Sequence, residues 1–238
     1  MRIPRIYLPL PLTADASITL DSTAVNHVTR VLRLKPGAEL VLFNGEGGEF
    51  PAVLETAATA RLGAWHAAEC ESPLAITLVQ GISRAERMDY TIQKAVELGV
   101  TRIVPVFAAR SVVELRGERL QRRMQHWQGV VIGACEQCGR NRVPTLDMAI
   151  DLSEWLRAPA AQSLRLVLNH RAETTLSTLS RPMALTLLIG PEGGLDESEL
   201  AQAEGAGFTG MRLGPRVLRT ETAAVAALAA LQALWGDF

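Results

Sequence analysis

From residue 74 onward, short apolar runs alternate with longer amphipathic ones, and this rhythm restricts most of the chain to parallel strands joined by helices. The apolar runs at 74–79, 102–106, 164–168, 184–189 and 208–213 supply five strands. Between them, residues 86–98 place Met88, Ile92, Ala95 and Val96 on one helical face, with Gly99 as the stop. Residues 118–138 form a longer helix striped by Leu120, Met124, Trp127, Val131 and Ala134.

Residues 1–72 have a different texture and are expected to form a small β-rich domain, with 73–238 as the α/β domain. Apolar runs at 40–43 and 50–54 flank Asn44-Gly-Glu-Gly-Gly48, a hairpin pattern, and Lys35-Pro-Gly37 is another turn. One helical stretch over 21–33 puts Val25, Val28, Val31 and Leu32 on a single face, with Asp21 as N-cap. His27, Arg30 and Arg33 fall on or near the opposite side.

The net charge of -1 gives no global sign of a nucleic-acid partner. Lys35 and Lys94 are the only lysines among 24 basic residues, however, and arginine forks phosphate and stacks on bases. Residues 84–142 hold eleven basic residues against six acids, so a local basic face fits under the neutral total. Arg84, Arg87, Arg140 and Arg142 lie at element ends and are the first candidates for phosphate contacts there, followed by Arg110. Three cysteines give no disulfide framework and point to a reducing compartment, the cytosol. The pair Cys135 and Cys138 cannot complete a four-ligand zinc site, and no metal is expected. No apolar run approaches the ~20 residues of a membrane span.

Two loops carry the chemistry. Ile189-Gly-Pro-Glu-Gly-Gly194 follows a strand and precedes a helix capped by Asp196, with Glu199 completing a capping box. A phosphate cradle fails on detail: no Gly-rich nucleotide fingerprint is present, Pro191 lacks a donor, and Glu192 brings a negative charge. A neutral or cationic ligand suits it better. The second loop, 213–222, sets Arg219 and Glu221 at the mouth of an Ala-rich helix for which Thr220 is the expected N-cap. An arginine beside a helix N-terminus can stabilise a developing anion.

Together the two loops resemble the cofactor-binding segments of the SPOUT methyltransferases. More narrowly, the chain resembles the RsmE family of bacterial small-subunit rRNA uridine N3-methyltransferases. The likeness is carried by Arg87-Met-Asp-Tyr90 with Gln93-Lys-Ala-Val-Glu-Leu-Gly-Val100, by Arg110-Ser-Val-Val113, and by Ala134-Cys-Glu-Gln-Cys-Gly-Arg140. Gly190-Pro-Glu-Gly-Gly194, Leu218-Arg-Thr-Glu-Thr222 and His27-Val-Thr-Arg-Val-Leu-Arg33 complete it.

The resemblance implies a C-terminal SPOUT α/β domain with a parallel sheet and a deep trefoil knot, preceded by a small PUA-like β-barrel that binds RNA. It implies a cytoplasmic homodimer acting on 16S rRNA within the small ribosomal subunit, with S-adenosylmethionine held in the knot. The residues implied for the cofactor are Leu168, Asn169, Ile189, Gly190, Pro191, Gly193, Gly194, Leu213, Gly214, Val217, Leu218 and Thr220. Arg2, Arg5, His27, Arg30 and Arg33 are the N-terminal contribution to RNA binding. Methylation of uridine N3 needs an imide proton removed and the resulting anion held. Arg219 is assigned to the anion, and Glu192 or Glu221 is the candidate base. Other readings are methylation of a ribose 2′-hydroxyl or another base, and a non-catalytic ribosome assembly factor. Intact Gly190, Gly193, Gly194 and Arg219 speak against decay into the latter.

Overall fold

The computed structural model describes residues 3–113, 115–159 and 163–238. The chain gathers into two units, Met1–Glu71 with Ile132–Val143, and Ser72–Val131 with Pro144–Phe238.

The first unit is built on strands β1 (Arg5–Tyr7), β2 (Ser17–Thr19), β3 (Glu39–Phe43), β4 (Phe50–Leu54) and β5 (Thr59–Leu62). Their order is β1-β3-β4-β5-β2, with β1 parallel to β3 and the other pairings antiparallel. Among the described residues the end strands β1 and β2 do not pair, so this module is a half-barrel and not the closed barrel expected. Alternate residues, Ile6, Leu40, Leu42, Ala52, Leu54, Ala60 and Leu62, form its core, as the two-residue period of a one-sided sheet requires. Helix α1 (Ser22–Asn26) adds Ala24 and begins as expected, the Asp21 carboxylate accepting from Ala24 N at 2.8 Å. It does not run to residue 33 as an α-helix. Residues His27–Val31 widen into a π-helical turn that still buries Val28, while Val31, expected on the apolar face, is 65% exposed.

The second unit begins with β6 (Ala75–Gly81), α2 (Ala85–Glu97) and β7 (Arg102–Phe107). Helix α3 (Gly117–Cys138) follows, its last turns counted with the first unit. Then come β8 (Thr145–Leu146), β9 (Ile150–Asp151), α4 (Leu152–Arg157), β10 (Leu164–Leu168), β11 (Ala184–Ile189), α5 (Glu197–Gly205), β12 (Thr209–Met211) and α6 (Thr220–Trp235). The parallel sheet runs β12-β10-β11-β6-β7-β8, with β9 also on β7. It exceeds the five expected strands by β8 and β9, two residues each and too short to show a period.

Parallel strands are covered on both faces, and β11 is accordingly buried at Leu185, Leu187, Leu188 and Ile189. Val79, Val104, Val106, Val167 and Leu188 pack with Leu152 and Leu156 of α4 and Ala203 of α5. Helix α6 contacts β11 and α2, burying Ala224, Ala227, Leu228 and Leu231. Its alanines permit that close approach, and the two leucines contribute about 2 kcal/mol each by burial. The capping box of α5 is present, Asp196 Oδ1 accepting from Glu199 N at 2.8 Å and Glu199 Oε2 from Asp196 N at 2.9 Å. Helix α6 departs from expectation: Arg219 occupies the N-cap without a side-chain cap bond, and Thr220 is the first helical residue.

Candidate active site

Strands β10, β11 and β12 are neighbours, and each ends in a loop at the same edge of the sheet. In an open parallel sheet the crevice outside the carboxyl ends of the strands is where ligands bind. Here the three loops enclose a cavity of about 320 Å³ within the second unit.

The loop after β10 brings Leu168, Asn169 and His170 to the wall, Asn169 N donating to Met211 O of β12 at 2.9 Å. The loop after β11 brings Ile189, Gly190, Pro191, Glu192, Gly193 and Gly194, turned by a Gly194 N bond to Pro191 O at 2.8 Å. The third loop adds Leu213, Gly214, Val217, Leu218, Arg219 and Thr220. All twelve residues implied for the cofactor therefore line one cavity, although they come from three separate stretches of sequence.

Two buried side chains fix the loops to one another. Thr220 Oγ1 donates to Gly190 O at 2.7 Å and accepts from Gln80 Nε2 at 3.0 Å, which itself reaches Gly81 O at 3.1 Å. Gly81 packs directly against the loop after β11: a Cβ there would stand 2.4 Å from Pro191 N, so any side chain would displace that loop. Neither Gln80 nor Gly81 was singled out from sequence, since nothing local distinguishes an end-of-strand glutamine. Arg212 and Arg216 also line the cavity and were not selected, though both flank the Leu213-Gly-Pro motif.

The charged groups are unequally placed. Glu192 lines the cavity, its Oε1 accepting from Arg84 N at 2.9 Å with Arg87 NH1 at 3.5 Å. Glu221 is not in the wall; its Oε1 lies 3.8 Å from Arg87 Nε. The second oxygen of each carboxylate is buried and has no hydrogen-bond partner among the described residues. Arg87 is thus shared by two carboxylates at the cavity edge, a use of this residue that differs from the expected phosphate contact. Arg219 is exposed at the start of α6 and has no ion-pair partner among the described residues.

The remaining candidates for RNA separate into two groups. Arg30, Arg33, Arg84, Arg110 and Arg142 are exposed, Arg142 with Glu69 at 3.5 Å and Arg110 NH1 with Gly193 O at 3.2 Å. His27 is half-buried in the first unit, Nδ1 3.5 Å from Glu136 Oε2. Arg5 and Arg140 correct the expectation, because both are buried inside the first unit. Arg140 Nε pairs with Glu71 Oε1 at 3.0 Å, and Arg5 pairs with Glu49 and Asn141 and lies 5.0 Å from the Phe43 ring centre. A guanidinium withdrawn from water needs carboxylate partners, and these arginines have them at the cost of access. For Arg140, burial alone lowers the pKa, yet hydrogen bonding and charge from Glu71 outweigh it and raise it. Arg2 lies outside the described residues.

Burial pushes the Glu136 carboxyl up, against the lowering by its bond from Tyr7 N and by nearby His27 and Arg5. Burial also pushes the Cys135 thiol up to about 12, which leaves it protonated and a poor metal ligand. Among the described residues no three His, Cys, Asp or Glu side chains are placed to hold a metal ion, and no helix is long and apolar enough to cross a membrane.

Residues 70–232 match the model of an RNA methyltransferase domain, and residues 20–61 that of an RNA methyltransferase PUA domain. A ribosomal RNA small subunit methyltransferase E from Buchnera aphidicola is 34% identical over 99% of this chain and 98% of its own length. The crystal structure of a ribosomal RNA small subunit methyltransferase E from Neisseria gonorrhoeae, bound to S-adenosylmethionine, is 41% identical and covers 100% of both chains with a TM-score of 0.93. A Legionella pneumophila protein solved with the same cofactor is 40% identical, again over 100% of both chains, with a TM-score of 0.97.

Proposed function

The chain belongs to the ribosomal RNA small subunit methyltransferase E family (RsmE), and on that premise we propose that it methylates N3 of one uridine in 16S rRNA with S-adenosylmethionine as donor. The observation that carries this reading is the single cavity formed by the three loops after β10, β11 and β12.

The cavity suits the cofactor chemically. Leu168, Ile189, Leu213 and Leu218 offer apolar surface, the glycine-rich turns let backbone approach a flat ring, and Glu192 favours a cation over a phosphate. When bound, S-adenosylmethionine supplies a methyl group activated on a sulfonium. The protein's own residues do the rest. Glu192 takes the imide proton of the uridine on its unpartnered oxygen, and what supports it over Glu221 is its place in the cavity wall. Arg87 holds the other oxygen of each carboxylate, keeping both oriented. Arg219 stabilises the negative charge spread over N3 and the two carbonyl oxygens, and its lack of a carboxylate partner among the described residues supports that role. Arg30 and Arg33, exposed on the PUA-like unit, contribute phosphate contacts.

The same reading carries a knotted path through the three loops, a homodimer, and action on an assembled small subunit. Support for the dimer is apolar surface at the chain's end, where Leu234 and Phe238 are 52% and 67% exposed. The test is transfer of labelled methyl groups to small subunits and to naked 16S rRNA lacking the modification, with the product nucleoside identified by mass spectrometry. 3-Methyluridine is the expected product. A 2′-O-methyl nucleoside or another methylated base refutes the assignment.

A further inference from the structure

A second cavity of about 210 Å³ shares the wall formed by Gly193, Gly194 and Leu195 with the first. Its wall is apolar at Leu168, Leu195 and Leu200, and its rim carries Arg110, His170 and Arg171. One acid, Glu197, also faces it. Its neighbours Asp196 and Glu199 close the capping box, and the second oxygen of the buried Glu199 accepts from Ala109 N at 2.7 Å, beside Arg110, so neither carboxylate lines this cavity.

The two arginines differ from the seven that carry ion pairs among the described residues, and in this they resemble other exposed arginines such as Arg30 and Arg33. Arg5, Arg61, Arg87, Arg102, Arg122, Arg140 and Arg142 each have a carboxylate within ion-pair distance. Arg110 and Arg171 have none among the described residues, even with Glu197 in the same wall. Their positions are nonetheless fixed at the backbone. Arg110 lies against Gly193, where an added Cβ would stand 2.7 Å from the Arg110 Cβ, and its NH1 donates to Gly193 O. Arg171 N donates to Asn169 Oδ1 at 2.9 Å, in the loop that lines both cavities. Two arginines against one acid, in a cavity also lined by three leucines, are a combination that suits a nucleotide, the fork taking phosphate oxygens and the apolar wall a ring face.

We infer that this cavity receives a phosphate-bearing nucleotide of the RNA strand, next to the nucleotide that is methylated. The inference rests on the proposed function for the identity of the strand. The Gly193–Gly194 turn then serves both cavities, so the phosphate held by Arg110 and Arg171 sets which base reaches the methyl donor.

The test uses the full-length protein and a fluorescent single-stranded octauridylate, with affinity followed by anisotropy against salt and S-adenosylmethionine binding followed by calorimetry. Arg171→Ala, an exposed position away from the core, is expected to weaken the oligonucleotide roughly tenfold and to flatten the salt slope by about 0.7, the value for one lost single-strand phosphate contact. Cofactor affinity should stay within about twofold, and Arg171→Lys should restore the slope because it restores the charge. Arg157→Ala, at an exposed arginine on α4, is the control and should match the unsubstituted protein. An unchanged slope in Arg171→Ala overturns the proposal. So does an equal loss of cofactor and oligonucleotide affinity, which would assign the rim to the cofactor's own carboxylate. If the unsubstituted protein binds the oligonucleotide through Arg171 but methylates no rRNA, the proposed activity falls and the cavity stands.

Discussion

The Thr220 hydroxyl donates to the Gly190 carbonyl at 2.7 Å across thirty residues of sequence, and this bond ties the Gly-Pro-Glu-Gly-Gly loop to the start of α6. Thr220 is only 6% exposed and also accepts from Gln80, so its replacement by an isostere leaves the Gly190 carbonyl without this donor and one N–H of the buried Gln80 amide without its acceptor. Thr220→Val is expected to cost about 1–3 kcal/mol in unfolding free energy. Cofactor affinity should fall with it, while Thr220→Ser retains both. Denaturant titration and calorimetry read the two effects, and a Thr220→Val protein with normal stability would show that the bond is dispensable.

Glu192 and Glu221 share Arg87 but not the cavity. Glu192→Gln should therefore slow single-turnover methyl transfer by about 10²-fold or more, the usual contribution of a positioned base. Glu221→Gln should slow it by under about tenfold. The reverse ranking would transfer the base role to Glu221, and two small effects would mean that no carboxylate base operates.

Arg219 has no carboxylate partner among the described residues, which supports its proposed role on the substrate anion. Arg219→Ala is expected to lower turnover by about 10²–10³-fold while cofactor affinity changes by less than about fivefold. Comparable losses in both, measured by single-turnover kinetics and calorimetry, would make it a cofactor-binding residue instead.

Arg140 lies 3% exposed with Glu71 and was expected on the RNA-facing surface. Removing one partner of a buried pair leaves the other charge uncompensated. Arg140→Ala should thus destabilise the fold by about 3–5 kcal/mol. In the fraction that stays folded, the salt slope for RNA should be unchanged. A flattened slope with normal stability would return Arg140 to the RNA surface.

Burial raises the Glu136 carboxyl above its ordinary 4.5, so the native state holds this proton more tightly than the unfolded chain does. Between 4.5 and the raised value the native state binds more protons, and stability falls as pH rises through that window. The stabilising contribution is complete below the unfolded value and is lost above the folded one. Glu136→Gln keeps an acceptor for Tyr7 N and removes the titration. Its Tm should fall less than that of the parent as pH is raised from about 4 towards neutrality. An identical pH dependence in the two proteins would refute the role of Glu136.

Elements with a long period or a local signature were readable from sequence. The spacing of Asp196 and Glu199 announces a capping box because both partners lie within one turn, and the stripe Leu120, Met124, Trp127 and Val131 announces α3. β8 and β9 escaped because two residues carry no period. The burial of Arg5 and Arg140 escaped for a different reason. An arginine reads as surface until Glu49, Glu71 and Asn141 are brought around it, and those partners are set by tertiary contact alone. The cavity follows the same division: its glycines and prolines mark the loops locally, whereas Gln80 and Gly81 matter only because β6 lies beside β11.

The first unit takes Ile132–Val143 from the middle of the chain, and this has a consequence for the order of assembly during synthesis. Residues up to Glu71 emerge early, but Arg5 and Tyr7 then lack Asn141 and Glu136, and Glu71 lacks Arg140. The Arg5–Glu49 pair can form within this segment, but Glu71 waits for Arg140 until roughly seventy further residues have been translated, against the usual expectation that an N-terminal domain folds first. Until then it exists as a sheet with an open polar seam, and the nascent chain must carry it, incomplete, while the strands of the methyl-transfer site are still unmade.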